Sequence, residues 1–292
     1  MEIEFQTDKG YEKKGYLYND FKMFHIRNTE EKTYAYHYHD FYKILVFLKG
    51  NVTYTIEGKS YKLKPFDMVL VNKEAIHRPD VSGSEPYERI VFYISGEYLD
   101  KHQTGEYDLA CCFHMAKKEG SDVLRFPAMA NTRLLSIIEE IEENGQNDSK
   151  YAAKLYANVL FMEFMILVNR GCVDGTGTFN HAVSFNQKMI DLIKFIGEHL
   201  TEELSIEELA EHFYISKYHM MRQFKEETGY TIHQYITEKR VLLAKGLMDG
   251  GLSATQACYD SGFRDYSTFS RAFKRKMVKS PAEKESDKNI IE

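Results

Sequence analysis

The feature that most constrains the fold of this chain is an internal repeat near its C-terminus. Arg222-Gln223-Phe224-Lys225 recurs 49 residues later as Arg271-Ala272-Phe273-Lys274. Other positions share this register, with one residue of slippage in the first helix: Tyr218 with Ser267, Leu209-Ala210 with Ala257-Cys258, and Ser205 with Ser253. A period of this length indicates one supersecondary unit that is used twice.

Each copy of the repeat carries the signals of two short helices joined by a turn. Ser205 and Glu208 have the spacing of a capping box, and Ser216 is placed to cap the second helix. In the second copy Gly262-Phe263 makes the turn. The apolar spacing predicts these buried positions: Leu209, Ala210, Met220 and Phe224 in the first copy, and Phe269 and Phe273 in the second.

Polar and cationic side chains occupy the outer face of the second helix in each copy. A helix-turn-helix motif places this helix in the major groove, where it needs hydrogen-bond donors for base edges and phosphates. Two copies allow successive groove entries about 34 Å apart. We therefore predict these DNA-binding residues: Lys217, Tyr218, Met221, Arg222 and Lys225 in the first copy, and Ser267, Thr268, Arg271 and Lys274 in the second. The alternative is a pair of amphipathic helices with solvated charges, which would have no need of a common register.

The charge of the C-terminal region is segregated along the chain. Residues 181–292 contain 16 Lys and Arg against 17 Asp and Glu, whereas residues 264–279 contain six Lys and Arg against one acid, Asp265. The acids lie mainly on the predicted first helix of the first copy and just before it. We therefore expect local but modest attraction to phosphate.

These motifs resemble the two motif blocks of the arabinose-operon-activator (AraC/XylS-type) family of bacterial transcription regulators. The match covers about the last hundred residues and includes Leu204 through Ala210, Gln223 through Gly229, and Gly262-Phe263 through Lys274 with Ser280-Pro281. The resemblance implies a seven-helix domain with two helix-turn-helix subdomains. It also implies that Tyr218, Met221 and Arg222, and then Ser267, Thr268 and Arg271, face bases and phosphates. Val278 and Ala257-Cys258 depart from the family pattern.

The N-terminal half has the pattern of short strands and tight turns. The apolar run 44–48 ends at a Lys-Gly-Asn turn, and alternating residues then lead to a second turn at Glu57-Gly58. Further strand patterns follow up to Ser95, which favours an antiparallel barrel or sandwich. The fold class predicted is therefore α+β with two domains: a cupin-like antiparallel β-barrel with a helical appendage, and an all-α domain with two helix-turn-helix motifs.

Helical periodicity begins near residue 131 and sets the predicted boundaries. Two apolar stripes are expected to face a core: Leu134, Leu135, Ile138 and Ile141 on one helix, and Leu155, Val159, Met162 and Ile166 on the next. Three glycines within 171–178 indicate a flexible linker. The predicted segments are 1–130 (effector binding), 131–170 (dimerisation and interdomain contact, or only capping of the barrel), 171–183 (linker) and 184–292 (DNA binding).

Four residues of the N-terminal half suggest a ligand site. His37, His39 and His77 resemble the metal triad of cupin barrels, in which alternate strand residues face one side. Position 43, where a carboxylate ligand is usual, is lysine, and a cation there repels a divalent metal. We expect no metal and no cofactor. Lys43 and the three histidines are instead assigned to effector binding, for a sugar or a carboxylate; the alternatives are barrel-lining residues without a ligand and an exposed lysine at the barrel rim.

The whole chain is interpreted as a DNA-binding transcription regulator controlled by a small-molecule effector. The net charge of -6, the four cysteines without metal-ligand spacing and the lack of a signal-like N-terminus indicate a cytoplasmic protein without membrane contact. Family resemblance favours activation of a carbohydrate-use operon, with promoter DNA, RNA polymerase and a second copy of the chain as partners. The rivals are a metal-dependent cupin enzyme with a helical appendage and a protein-binding adaptor.

Overall fold

The structure, a computed structural model, describes residues 17, 20–29, 34–127, 129, 132–145 and 150–277. The chain divides into two compact units, Met1–Phe185 and Asn186–Glu292, the first built on β-sheets and the second on helices. This is the α+β, two-domain class that the sequence predicts. Val278 and Ser280-Pro281, which belong to the resemblance, lie outside the described residues.

The first unit contains two antiparallel sheets. The six-stranded sheet has the order β1-β7-β2-β5-β8-β9, and the four-stranded sheet has the order β10-β4-β3-β6. The strands are β1 (Phe21–Asn28), β2 (Tyr42–Lys49), β3 (Val52–Ile56), β4 (Lys59–Lys62), β5 (Asp67–Val71), β6 (His77–Val81), β7 (Tyr87–Ile94), β8 (Val123–Arg125), β9 (Thr178–Phe179) and β10 (Ser184–Phe185). The predicted turn at Glu57-Gly58 joins β3 and β4, with positive φ at both residues as in a type I′ hairpin.

Both faces of the six-stranded sheet are covered, which explains the continuous apolar run in β2. Leu45 and Phe47 pack between the two sheets, whereas Ile44 and Val46 pack against the helices of this unit. An antiparallel sheet with one face in water would need polar residues at every second position. The helices that cover the second face are α1 (Gly96–Lys101), α2 (Cys111–Glu119), α3 (Arg133–Gly145) and α4 (Ala153–Asp174).

Helix α4 corrects one prediction about the core. The residues predicted to face inward, Leu155, Val159 and Ile166, are exposed, and Met162 is half-buried. The inward face is instead formed by Ala157, Leu160, Phe161, Phe164, Met165, Val168 and Cys172. This helix has apolar residues on all sides, so periodicity alone could not tell the inner face from the outer one. Of the described helices, α4 alone has the length and apolar character that could cross a membrane, and its inner face packs as in the core helix of a globular domain.

The predicted linker over 171–183 contains secondary structure at residues 171–174 and 178–179. Helix α4 continues to Asp174, and β9 and β10 add one strand to each sheet. Gly171 lies within the helix, and the ring of Phe126 packs against its backbone so closely that a Cβ at this position would lie 2.1 Å from the ring. The glycine there permits close packing rather than flexibility.

The second unit is a set of helices, with a core cluster formed by residues of α8, α9 and α10. The described helices are α5 (Gln187–Glu198), α6 (Ile206–His212), α7 (Lys217–Thr228), α8 (Ile232–Asp249), α9 (Ala254–Asp260) and α10 (Tyr266–Met277). Ser205, Ser216 and Ser253 cap α6, α7 and α9 as predicted, and Ser205 forms a complete capping box with Glu208. The predicted buried residues of both copies, from Leu209 to Phe273, are buried.

Candidate nucleic-acid interface and effector site

The two helix pairs of the second unit have the same backbone plan. We call α6 and α7 the first helix pair (206–228) and α9 and α10 the second helix pair (254–277). In each pair the turn folds back on the first helix: Ile215 N–H donates to the Ala210 carbonyl (3.0 Å), and Phe263 N–H donates to the Cys258 carbonyl (3.1 Å). The residue just before this hydrogen-bonded position has positive φ in both pairs: Tyr214 in the first and Gly262 in the second. The duplication is therefore structural as well as sequential.

The structure also explains the one-residue slippage of the repeat. The first helices and turns are offset by 48 residues, as in Tyr214 and Gly262, and the second helices by 49, as in Met220 and Phe269. The extra residue is Arg264, after the turn. Asp265 then takes the place of Ser216 as the cap of the second helix, and its carboxylate accepts from Thr268 N–H at 2.7 Å.

Helix α7 presents its predicted DNA-binding residues to solvent. Lys217, Tyr218, Met221, Arg222 and Lys225 are all exposed, while Met220 and Phe224 anchor the opposite face in the core. Two of the three cations contact acids: Lys217 lies 2.5 Å from Glu207, and Arg222 lies 3.9 Å from Glu226. The outer face therefore combines large apolar or aromatic groups with partly neutralised charge.

Helix α10 presents a more strongly cationic face. Ser267, Thr268, Arg271 and Lys274 are exposed, and Phe269 and Phe273 pack inward. The Arg271 guanidinium contacts its own helix, donating to the Ser267 carbonyl (3.3 Å) and to the Thr268 hydroxyl (3.4 Å). These contacts orient the guanidinium without neutralising it.

The predicted effector residues of the first unit form a cluster. His77 lies at the start of β6, and His37 is bridged to it by two backbone hydrogen bonds of 2.9 and 3.1 Å. The ring of His77 lies 4.3 Å from that of His37 and 4.9 Å from that of His39. Residues 38–41 precede β2, so the histidines do not alternate along a regular strand as the sequence suggested, and the bridge to β6 brings them together instead.

Backbone contacts fix the tautomer of the three histidines. The Nδ1 atoms of His37, His39 and His77 lie 2.8 to 3.0 Å from backbone carbonyl oxygens, which can only accept. Each Nδ1 is therefore a donor, and Nε2 carries the lone pair in a neutral ring. Burial, followed by the charge of Lys43, holds the pKa of His39 and of His77 well below the usual range. His39 Nε2 is buried without a hydrogen-bond partner.

Lys43 extends from β2 into this cluster. Its side chain is 7% exposed, so the alternative of a lysine at the barrel rim is wrong. The ammonium donates to the Tyr54 hydroxyl at 3.0 Å and lies 3.5 Å from His77 Nε2. Within the described residues, no group of three or more His, Cys, Asp or Glu side chains is arranged to hold a metal ion.

A second buried cation between the sheets was missed by the sequence reasoning. Arg89 on β7 is 8% exposed, stacks on the ring of Tyr87 at 4.0 Å and donates to Asn28 at 2.5 Å. Tyr34 also donates to Asn28, at 3.1 Å. The alternation of β7 was a usable signal, because it places Arg89 on the same face as the buried Val91.

Comparisons with known proteins give a family match for each part of the chain. The family described as AraC-like ligand binding domain matches residues 22–157, and the family described as helix-turn-helix domain matches residues 209–285. HTH-type transcriptional activator RhaS of Enterobacter sp. (strain 638) is 24% identical over 257 residues, which cover 85% of this chain and 86% of the relative. The same activator of Salmonella arizonae is 24% identical and covers 87% and 88%.

A solved structure of ToxT from Vibrio cholerae is also similar to this chain. It is 17% identical with a TM-score of 0.37, and the match covers 90% of this chain and 97% of ToxT. A TM-score of this size adds no support of its own for a shared arrangement of the two units.

Together the fold and the family matches define a transcription regulator in which a ligand-binding domain precedes a double helix-turn-helix domain. The chain belongs to the AraC-type family of regulators and is homologous to the RhaS activators. It is a DNA-binding regulator under the control of a small-molecule effector, and not a cupin enzyme.

Proposed function

We propose that this regulator binds promoter DNA through α7 and α10 together. The observation that carries the proposal is the common register of the two helices, which exposes Arg222 and Arg271 at equivalent positions beside Tyr218 and Ser267. A side chain with this placement reaches base edges and phosphates when its helix enters the major groove. The remaining predicted contacts are Lys217, Met221, Lys225, Thr268 and Lys274.

We expect each of Arg222→Ala and Arg271→Ala to weaken promoter binding by about 1–3 kcal/mol if the arginine reads a base. The measurement is a titration of full-length protein against the promoter fragment next to its own gene. Lys194→Ala, an exposed cation of α5, is the control. Affinity that survives both arginine changes removes these residues from the interface.

The proposed effector is a sugar or sugar derivative bound between the sheets. His39 Nε2 offers a buried acceptor, and the Lys43 ammonium offers donors nearby. A hydroxyl group can donate to the first and accept from the second, whereas a carboxylate can satisfy only the ammonium. His37 and His77 complete the proposed contacts. This chemistry favours the polyhydroxylated ligand over the acid.

Lys43 gives a direct test of this site. We expect Lys43→Ala to weaken binding of an active monosaccharide at least about tenfold, the scale of one lost charge-assisted hydrogen bond. A thermal-shift panel of pentoses, hexoses and their acids identifies the sugar, and titration calorimetry measures the affinity. Lys62→Ala, at an exposed position of β4, is the control. Unchanged affinity in Lys43→Ala rules out the proposed site.

The regulator is proposed to act as a cytoplasmic homodimer that activates transcription. The related RhaS proteins are activators by name, and the exposed apolar face of α4 is a surface that a second copy could cover. Effector binding then shifts promoter occupancy or contact with RNA polymerase, provided that the effector has different affinity for two states of the dimer.

A further inference from the structure

The two helix pairs differ sharply in charge although they share one backbone plan. Residues 206–228 carry three cationic and five acidic side chains. Residues 254–277 carry five cationic and two acidic side chains. The first pair is therefore net negative and the second is net positive. Two pairs with the same role on DNA would not need opposite charges.

The difference is concentrated at equivalent positions of the two outer helices. Lys225 and Lys274 correspond, but the next two residues are Glu226-Glu227 in α7 and Arg275-Lys276 in α10. The charge thus reverses over the last turns of the helix, while the first turns keep equivalent arginines at 222 and 271. Glu226 and Arg275 are both exposed, so the reversal is presented to a partner.

Ion pairs increase the contrast. In the first pair Lys217 contacts Glu207, and Arg222 contacts Glu226. Of the three cations in this pair, only Lys225 forms no ion pair with a carboxylate among the described residues. In the second pair Arg264 contacts Glu203, and Lys276 contacts Glu238 at 3.2 Å. Within the part of the chain that the structure describes, Arg271, Lys274 and Arg275 form no direct ion pair with a carboxylate, although Asp265 lies close enough to Arg271 to interact with its charge.

We propose that the second helix pair is the phosphate anchor of this protein, and that Lys274 and Arg275 carry most of its salt-dependent affinity for DNA. The last turns of α7 lie away from the phosphates, because Glu226 and Glu227 would be repelled by them. The first pair then contributes to sequence choice through Tyr218, Met221 and Arg222 and little to the general attraction. This inference rests on the proposed DNA-binding function.

The test compares the two equivalent lysines in the full-length protein. Lys274→Gln and Lys225→Gln remove the same charge at the same repeat position, and both side chains are exposed, so neither change disturbs a core. The probe is a 30-base-pair duplex of mixed sequence, the length being about three helical turns. Binding is measured between about 50 and 300 mM salt.

We expect Lys274→Gln to lower the slope of log affinity against log salt by about 0.9 and to weaken binding on the order of tenfold at the lowest salt. Lys225→Gln should leave the slope unchanged and alter affinity less than about twofold, a result that would remove Lys225 from the predicted DNA contacts. Arg275→Gln should repeat the effect of Lys274→Gln, whereas Glu226→Gln should have little effect.

Three outcomes distinguish the proposals. Equal slopes for Lys274→Gln and Lys225→Gln, or a larger loss for Lys225→Gln, overturn the phosphate-anchor assignment. A marked gain of affinity in Glu226→Gln that persists when Arg222 is also changed to alanine overturns it too, because the carboxylate itself, and not the release of Arg222 from its ion pair, would then be repelled by phosphate. Wild-type protein without any salt-dependent affinity for duplex DNA contradicts the proposed DNA-binding function itself, whatever the variants do.

Discussion

At the scale of single residues, Gly262 shows how strictly one backbone position can be defined. Its φ of +88° lies in the left-handed region, and a Cβ built there would lie 2.8 Å from the Cα of Thr201. Strain and steric overlap therefore act together. Tyr214 adopts the same conformation in the first pair, but its side chain lies in solvent. At Tyr214 there is therefore backbone strain without steric overlap.

We expect Gly262→Ala to lower the free energy of unfolding by at least about 2 kcal/mol, the sum of left-handed strain and displaced backbone. Gly197→Ala is the matched control, because Gly197 is helical with no atom within 4 Å of its built Cβ. That change should stabilise the protein by about 0.5–1 kcal/mol. Urea denaturation measures both, and equal effects would contradict the assignment of Gly262 to a constrained turn.

Asp122 gives a prediction about pH. Burial raises the pKa of this carboxyl group to about 6 from 3.8, against the opposing effects of Lys59 and of the hydrogen bond from Tyr61 (3.0 Å). The native state therefore holds the proton more tightly than the unfolded chain does. The stability that this group contributes is complete below about pH 4 and is lost as the pH rises through about 6, by about 3 kcal/mol.

Asp122→Asn isolates this contribution, because the amide oxygen can still accept from Tyr61 without carrying a charge. We expect the variant to gain stability relative to wild type between pH 4.5 and pH 7 by about 2–3 kcal/mol, as measured by chemical denaturation at both values. A difference that stays the same at the two pH values would show that Asp122 titrates normally.

At the scale of elements, α4 shows what periodicity can and cannot reveal. The sequence predicts the helix, but the stripe 155, 159, 162 and 166 that appeared to be its core face is largely exposed. Both faces are apolar, so the tertiary contacts of Phe161 and Phe164 with the sheet decide which one is inside. In α7 and α10 one face is charged, and for that reason the predicted buried faces were confirmed.

Two leucines of α4 test its orientation. Leu160→Ala empties a buried site and should cost about 2–5 kcal/mol of unfolding free energy. Leu155→Ala changes a side chain that is 65% exposed, so its cost should stay below about 1 kcal/mol. Thermal and urea unfolding at low protein concentration compare the two. Equal costs would mean that the predicted stripe faces the core after all.

At the scale of the whole molecule, the exposed face of α4 bears on the oligomeric state. Leu155, Val159 and Ile166 are exposed apolar residues that recur along one side of the helix, and exposed apolar surface of this kind can mark an interaction site. Helices 131–170 were expected either to dimerise or only to cap the barrel. Residues of both α3 and α4 cap the six-stranded sheet, and the outer face of α4 is still available for a second copy.

We expect Val159→Glu to weaken dimerisation at least about tenfold, since burial of an unpaired carboxylate against an apolar partner is costly. Val183→Glu is the control, because Val183 is a similarly exposed valine outside α4. Sedimentation equilibrium of the intact protein measures the dissociation constant. A wild-type protein that is monomeric at high concentration, or a dimer unaffected by Val159→Glu, would contradict dimerisation through this face.

The sequence by itself determined what depends on local spacing: the duplicated helix pair, its serine caps, the buried faces of α7 and α10, and the β3–β4 hairpin. The caps, the buried faces and the hairpin are read from neighbours two to five residues apart, and the duplication from one constant spacing of about 49 residues, so chain order is enough. Only the tertiary structure decided what depends on residues far apart in the chain. It joined His37 to His77, buried Lys43 beside Tyr54 and put Arg89 between the sheets. It also placed the end of α4 and strand β9 within the predicted linker 171–183, and it selected the inner face of α4. Burial and long-range pairing fix these features, and a single sequence records neither directly.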